Sequence, residues 1–174
     1  MLLGIATLIV VADRVTKTIV AHNLMLNASW HPSTPLLQRI FSLTHITNTG
    51  AAFGLFRNMG WLFIVIHVVV IVAIVVYHRQ LPAGFGWTRL ALGLQMGGAL
   101  GNLIDRVRQG YVVDFVDLNF WPVHNWPIFN VADSSIVVGV VFLAISMLRE
   151  DAMAADGKVD SSEGEAVGET GTSS

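Results

Sequence analysis

The first 149 residues hold five aspartates and no glutamate: Asp13, Asp105, Asp114, Asp117 and Asp133. Carboxylate chemistry in that stretch has to use these. Asn102, Asp105 and Arg106 are spaced i, i+3, i+4 and share one face of any helix that carries them. They read either as a polar network tying helices together or as groups that orient reacting carboxylates. Asn130-Val-Ala-Asp133 reads as a helix start, with Asn130 as N-cap and Asp133 in the first turn. Capping alone would explain it; so would a helix N-terminus that favours the charged form of Asp133. Asp114 lies in Tyr111-Val-Val-Asp-Phe-Val-Asp117, with apolar neighbours on both sides, which predicts a packed carboxyl. Two such carboxyls brought together cannot both ionise easily, so one pKa rises and the pair shares a proton. One can then activate a water while the other protonates the carbonyl under attack.

Other chemistries fail on inventory. The chain has no cysteine, so thiolate nucleophiles, disulfides and Cys-metal sites are excluded. No His-Glu-x-x-His site is possible without glutamate. The six histidines (22, 31, 45, 67, 78 and 124) show no metal-ligand spacing, and His67 reads as a packed or partnered histidine. Residues 1–149 contain no Gly-x-Ser elbow. Gly84-Phe-Gly86 is followed by Trp87 and not by aspartate, and no serine is tied to Lys17 by spacing. Neither a phosphate loop nor a basic nucleic-acid patch is present. No metal, organic cofactor or nucleic acid is expected as a partner.

The elements that would position these groups are apolar. Hydrophobic residues make up 53% of the 174, charged residues 13%, and the mean hydropathy is +0.63, too apolar for a water-soluble globule. Four segments approach the ~20 apolar residues of a membrane span: Leu2 to about Leu24, Trp61–Tyr77, about Trp87–Ile104, and Val131–Leu148. Between the first two, Phe41–Thr47 alternates and reads as a short strand on the membrane surface. His78–Gly86 reads as a tight turn. Val107–Asn130 reads as a polar, aromatic, proline-bearing link whose Trp121 and Trp126 suit the interface. Gly97-Gly-Ala-Leu-Gly101 is a small-xxx-small pattern that lets another helix approach closely. Charge divides the chain at residue 150: residues 1–149 carry +4 and residues 150–174 carry −6. The tail, rich in Gly, Ser, Ala and acid, is expected to be disordered. The expected domains are therefore a membrane domain, 1–149, and an acidic tail, 150–174. If the third and fourth segments are antiparallel neighbours, Asn102, Asp105, Arg106, Asp114, Asn130 and Asp133 meet at one membrane face. Ionisable groups there are functional candidates by default.

Five blocks, in order, resemble the prolipoprotein (type II) signal peptidases. They are Asp13-Arg-Val-Thr-Lys17, Asn48-Thr-Gly-Ala-Ala-Phe-Gly54, Gly97-Gly-Ala-Leu-Gly-Asn-Leu-Ile-Asp-Arg106, Val112-Val-Asp-Phe115 and Phe129-Asn-Val-Ala-Asp-Ser134. The resemblance implies an all-α membrane protein of the bacterial inner membrane. It would have four transmembrane helices, both termini and the tail cytoplasmic, and a small extracytoplasmic β-cradle with a surface helix, built by residues 23–57. It implies an aspartic endopeptidase that cleaves diacylglyceryl-modified prolipoproteins just before the lipidated cysteine. Asp114 and Asp133 carry over as the catalytic dyad. Asn48, Asn102, Asp105, Arg106, Asn130 and Ala132 carry over as supporting or substrate-contacting positions, and Asp13 as a structural position in the first helix. Arg14 stands where many relatives have glutamine. The expected partners are the lipidated substrate and membrane lipids, and the expected state is a monomer.

A count of basic residues alone would put the long loops in the cytoplasm, against the family's orientation; Lys17, Arg57 and Arg106 are read as serving the site or lipid phosphates instead. Phe53, Leu55, Phe56 and Trp61 read as a lid, an acyl-chain contact or interface anchors. The rival readings are a small transporter or proton channel, which would spread carboxylates along a path through the bilayer, and a non-catalytic assembly protein built on the glycine face. Within the dyad, Asp133 is expected to hold the charge and Asp114 the proton.

Overall fold

The computed structural model describes residues 1–50, 59–82, 84–123 and 126–149. Phe53, Leu55, Phe56, Arg57 and the tail from Glu150 lie outside them. The chain is mostly helical with one small antiparallel sheet. In order it forms α1 (Leu2–Asn23), β1 (Ser29–Trp30), α2 (Pro35–Gln38), β2 (Phe41–Asn48), α3 (Gly60–Gln80), α4 (Gly86–Gln109) and β3 (Val112–Leu118), followed by α5 (Val131–Arg149).

The long helices match the four apolar segments, but α4 runs past Ile104 to Gln109. It stops at Gly110, whose φ of 81° is the left-handed conformation that closes a helix end; the Gly110 N–H donates to the Arg106 carbonyl. Side-chain contacts set the directions. Leu2 and Ile5 lie beside Gly93, Ile9 beside Gly97 and Asp13 beside Gly101, so α1 and α4 run parallel. Ala132 meets Gly98, and Gly139 meets Ala91 and Gln95, so α5 runs antiparallel to α4. The approach at Gly98 is the closest of these: a Cβ there would stand 2.3 Å from the Ala132 carbonyl oxygen. Only glycine admits that spacing, as the small-xxx-small pattern predicts. Leu2, Ala6, Ile74, Leu92 and Met96 form the apolar core where α1, α3 and α4 meet.

The faces turned away from this core are apolar too. α3 exposes Val65, Ile66, Val68, Val69, Val72 and Val76, and α5 exposes Val137, Val138, Val140 and Val141. Both helices are long and apolar enough to cross a membrane.

The sheet has the order β1-β2-β3. The strand expected at Phe41–Thr47 is β2. β3 adds a strand within the link read as polar, aromatic and proline-bearing, and corrects one expectation: the cradle is not built by residues 23–57 alone. Val112-Val-Asp-Phe-Val is β-branched and aromatic, as strands favour. The two aspartates at 114 and 117 hid that run, and each is accounted for by a partner. Three residues apart in a strand, they face opposite sides. Asp117 accepts from Ser42 Oγ at 3.2 Å and Thr44 Oγ1 at 3.3 Å on β2. Asp114 pairs with Ile46 in register and is buried. The surface helix is a single turn, α2, begun by Pro35 at its first position.

Candidate active site

Asp114 and Asp133 come together because Phe129 pairs beside β3. The Val116 N–H donates to the Phe129 carbonyl at 2.8 Å and the Phe129 N–H to the Val116 carbonyl at 3.1 Å. This lays Asn130 against Asp114 and starts α5 one residue later. Asn130 is the N-cap: its Oδ1 accepts from the Asp133 N–H at 2.9 Å, and Asp133 Oδ2 accepts in return from the Asn130 N–H at 3.3 Å. This is a reciprocal capping box with aspartate in the glutamate role.

The cap also aims the amide. With Oδ1 engaged, Asn130 Nδ2 donates to Asp114 Oδ1 at 2.6 Å. Asn48, at the end of β2, is fixed the same way: Oδ1 accepts from the Gly50 N–H at 3.0 Å, and Nδ2 donates to Asp114 Oδ2 at 2.9 Å. Asn102 Oδ1 accepts from Lys17 Nζ at 3.0 Å and Asn130 Nδ2 at 3.3 Å, which leaves its Nδ2 to donate to Asp133 Oδ1 at 2.7 Å. Three amides therefore hold the two carboxyls, and each amide's orientation is dictated by a partner of single polarity. Burial, then the charge of Asp133, pushes the Asp114 carboxyl up to about 7; the Asn48 and Asn130 hydrogen bonds oppose that rise.

Behind this layer lies a buried charge cluster. Asp13 accepts from the Ala132 N–H at 3.0 Å, a second cap on the start of α5. Lys17 Nζ sits 2.8 Å from Asp13 and 2.7 Å from Asp105, and Arg14 pairs with Asp105. Two carboxylates and two cations balance, as buried charges must. Asp105 therefore ties α4 to α1 and, among the described residues, makes no ion pair with Arg106. Arg106 stands apart: its guanidinium lies 4.9 Å from the centre of the Phe63 ring and donates to the Gly50 carbonyl at 2.8 Å.

In front of the dyad opens a cavity of about 700 Å³. Asn48, Arg106, Asp114 and Asp133 form its polar end, and Phe63, Ile66, Ile128, Phe129, Val137 and Val138 its apolar wall. Every residue expected at the site is thus in this region: Asn48, Arg106 and both dyad members on the cavity, Asn102 and Asn130 behind the carboxyls, Asp13, Asp105 and Ala132 deeper. Lys17, read as serving the site or lipid phosphates, is 2% exposed and donates to Asn102 at 3.0 Å, so of the two alternatives the structure supports the site. Its i, i+4 spacing from Asp13 was the available signal.

The family model for signal peptidase (SPase) II matches residues 5–149. The chain belongs to the signal peptidase II family. Its relatives include the lipoprotein signal peptidase of Halothermothrix orenii, 40% identical over 147 residues, covering 84% of this chain and 94% of that protein. The lipoprotein signal peptidase of Bacillus subtilis is 43% identical over 146 residues, covering 84% and 92%. Two solved structures of bacterial membrane enzymes superpose with TM-scores of 0.78 and 0.75, at 34% and 35% identity, covering 86% and 84% of this chain and 88% and 92% of those chains. As a signal peptidase II the chain is a membrane hydrolase of peptide bonds, of the aspartic class.

Proposed function

We propose that this signal peptidase II removes the signal peptide from diacylglyceryl-modified prolipoproteins, cleaving just before the lipidated cysteine, with Asp114 and Asp133 as the catalytic dyad. The observation that carries this is the chain Asp114–Asn130–Asn102–Asp133, which holds both carboxyls on one cavity. Asp133 carries the charge and takes a proton from the attacking water. Asp114 gives its proton to the scissile carbonyl oxygen. The tetrahedral gem-diol intermediate then collapses: the C–N bond breaks, the proton held by Asp133 passes to the leaving amine, and one hydroxyl proton of the intermediate returns to Asp114 as the new carboxyl group forms. Arg106 adds a fixed positive charge to the same wall, where developing negative charge on the substrate is stabilised in a site shielded from water.

In this reading α1, α3, α4 and α5 all cross the bacterial inner membrane. The charges that make α1 and α4 look unsuited to lipid are largely interior: Asp13, Lys17, Asp105 and Arg106 are buried. Both termini are cytoplasmic and the site faces outward. Five basic residues opposed that orientation. With Lys17 and Arg106 buried, two of those five no longer count toward topology, and the bias against this orientation weakens. The exposed apolar wall beside the dyad suits acyl chains entering from lipid, and the protein acts as a monomer.

The test is cleavage of a diacylglyceryl-modified prolipoprotein in lipid micelles. Wild type and Asp117→Asn cleave; Asp114→Asn and Asp133→Asn do not. Loss confined to Asp117→Asn would overturn the dyad, and an inactive, folded wild type would overturn the reaction.

A further inference from the structure

The proposed reaction leaves a histidine on the cavity wall without a task. His67, two turns into α3, is partly buried and lines the cavity together with Asp114, Asp133 and Arg106. Its Nδ1 makes a hydrogen bond with the Phe63 carbonyl oxygen one turn earlier. A carbonyl only accepts, so Nδ1 carries a hydrogen, and in the neutral ring Nε2 presents a lone pair. Nε2 has no hydrogen-bond partner among the described residues and is not among their sealed, unpartnered polar atoms. A backbone contact therefore fixes the ring and its tautomer and leaves one acceptor open to the cavity.

We infer that His67 is a peptide-binding residue, whose Nε2 accepts a hydrogen bond from a backbone N–H of the signal peptide seated in the cavity. The inference rests on the proposed reaction, and the chemistry of that substrate selects the partner. A diacylglyceryl group offers acyl chains and ester oxygens, and neither donates to an acceptor nitrogen. A peptide seated against an apolar wall presents N–H groups that have to be paired. Near His67 the α3 and α5 walls are apolar, with Phe63, Ile66, Val137 and Val138. Of the cavity's other side-chain acceptors, those on Asn48, Asp114 and Asp133 already face amides or N–H groups within the site, and the Ser134 hydroxyl, which lines the cavity beside Asp133, is held by its donation to the Asn130 carbonyl.

Two measurements test this. The first is steady-state cleavage of a diacylglyceryl-modified prolipoprotein peptide in micelles by wild type, His67→Leu and His67→Gln. The second is binding of a non-cleavable lipidated peptide to the same three proteins. His67→Leu is expected to raise KM and Kd about tenfold, the worth of one hydrogen bond, with kcat within about threefold of wild type. Glutamine, whose Oε1 also accepts, restores most of the affinity. Equal Kd for wild type and His67→Leu overturns the assignment whether or not the protein cleaves. So does a His67→Gln variant as weak as His67→Leu. An inactive wild type whose Kd still depends on His67 refutes the reaction and leaves the binding residue standing.

Discussion

Replacing Asp114 by asparagine should make the protein inactive and, above neutral pH, more stable. The native carboxyl holds its proton up to about 7, whereas the unfolded chain releases it near 3.8. Between those values the native state binds more protons than the unfolded one, so stability falls as pH rises. Below 3.8 the penalty is absent, and above about 7 it is complete. At 1.36 kcal/mol for each pKa unit it reaches on the order of 4 kcal/mol. Asparagine cannot ionise and escapes it. Asparagine also has one acceptor where the carboxyl has two, and both Asn48 Nδ2 and Asn130 Nδ2 donate here, so one buried donor loses its partner at a cost of about 1–3 kcal/mol. The variant should therefore be less stable than wild type at pH 4 and more stable by about 1–3 kcal/mol at pH 8. Thermal unfolding in lipid micelles across that range reads the difference directly. A difference that stays flat with pH would refute the raised, proton-holding Asp114, whatever happens to activity.

The neighbours give sharper tests of the same geometry. Asn48 favours the ionised form of Asp114, so Asn48→Ala should move the alkaline limb of kcat/KM upward from about 7 by about one pH unit; a downward move in the pH profile contradicts the assignment. Lys17→Met leaves Asp13 and Asp105 facing Arg14 alone and should cost about 3–5 kcal/mol. Arg14→Gln, at a side chain 31% exposed, should cost about 1 kcal/mol or less, and the reverse order in unfolding midpoints would show that the cluster is held from its rim. Gly98→Ala drives a methyl against the Ala132 carbonyl and should lower stability by at least about 1–3 kcal/mol, displacing the start of α5 and lowering kcat with it.

The helices and their close-packing glycines were legible because hydropathy and small-residue spacing are local properties of the chain. β3 was less so. Its strand-forming residues enclose Asp114 and Asp117, and a reading by polarity sees a loop. Only the pairing with β2 shows that one aspartate faces Ser42 and Thr44 while the other faces the cavity. The dyad was legible as chemistry but not as geometry: nothing local to Asp114 or Asp133 says that Phe129 bridges to Val116 and carries Asn130 between them. For Lys17 the sequence left open the site or lipid phosphates, because its second carboxylate, Asp105, is 88 residues away in the chain.

The same cluster explains why sequence polarity understates how much of the protein suits a bilayer. Hydropathy debits α1 for Asp13, Arg14 and Lys17 and α4 for Asp105 and Arg106, as though each faced its surroundings. In the folded protein Asp13, Lys17 and Asp105 satisfy one another, with Arg14 closing the set from its half-exposed position, and Arg106 rests on Phe63 and the Gly50 carbonyl. The cost of bringing these charges out of water is met inside the protein, between α1 and α4 for the cluster and against α3 and Gly50 for Arg106; in the proposed four-span topology they would then not be displayed to lipid. That arrangement also fixes the site. Asp13 caps the N-terminus of α5 through Ala132, and Lys17 orients Asn102 toward Asp133. The charges that let α1 and α4 pack within an apolar fold are therefore also the ones that set the geometry of the dyad, and a change to either function should be felt in the other.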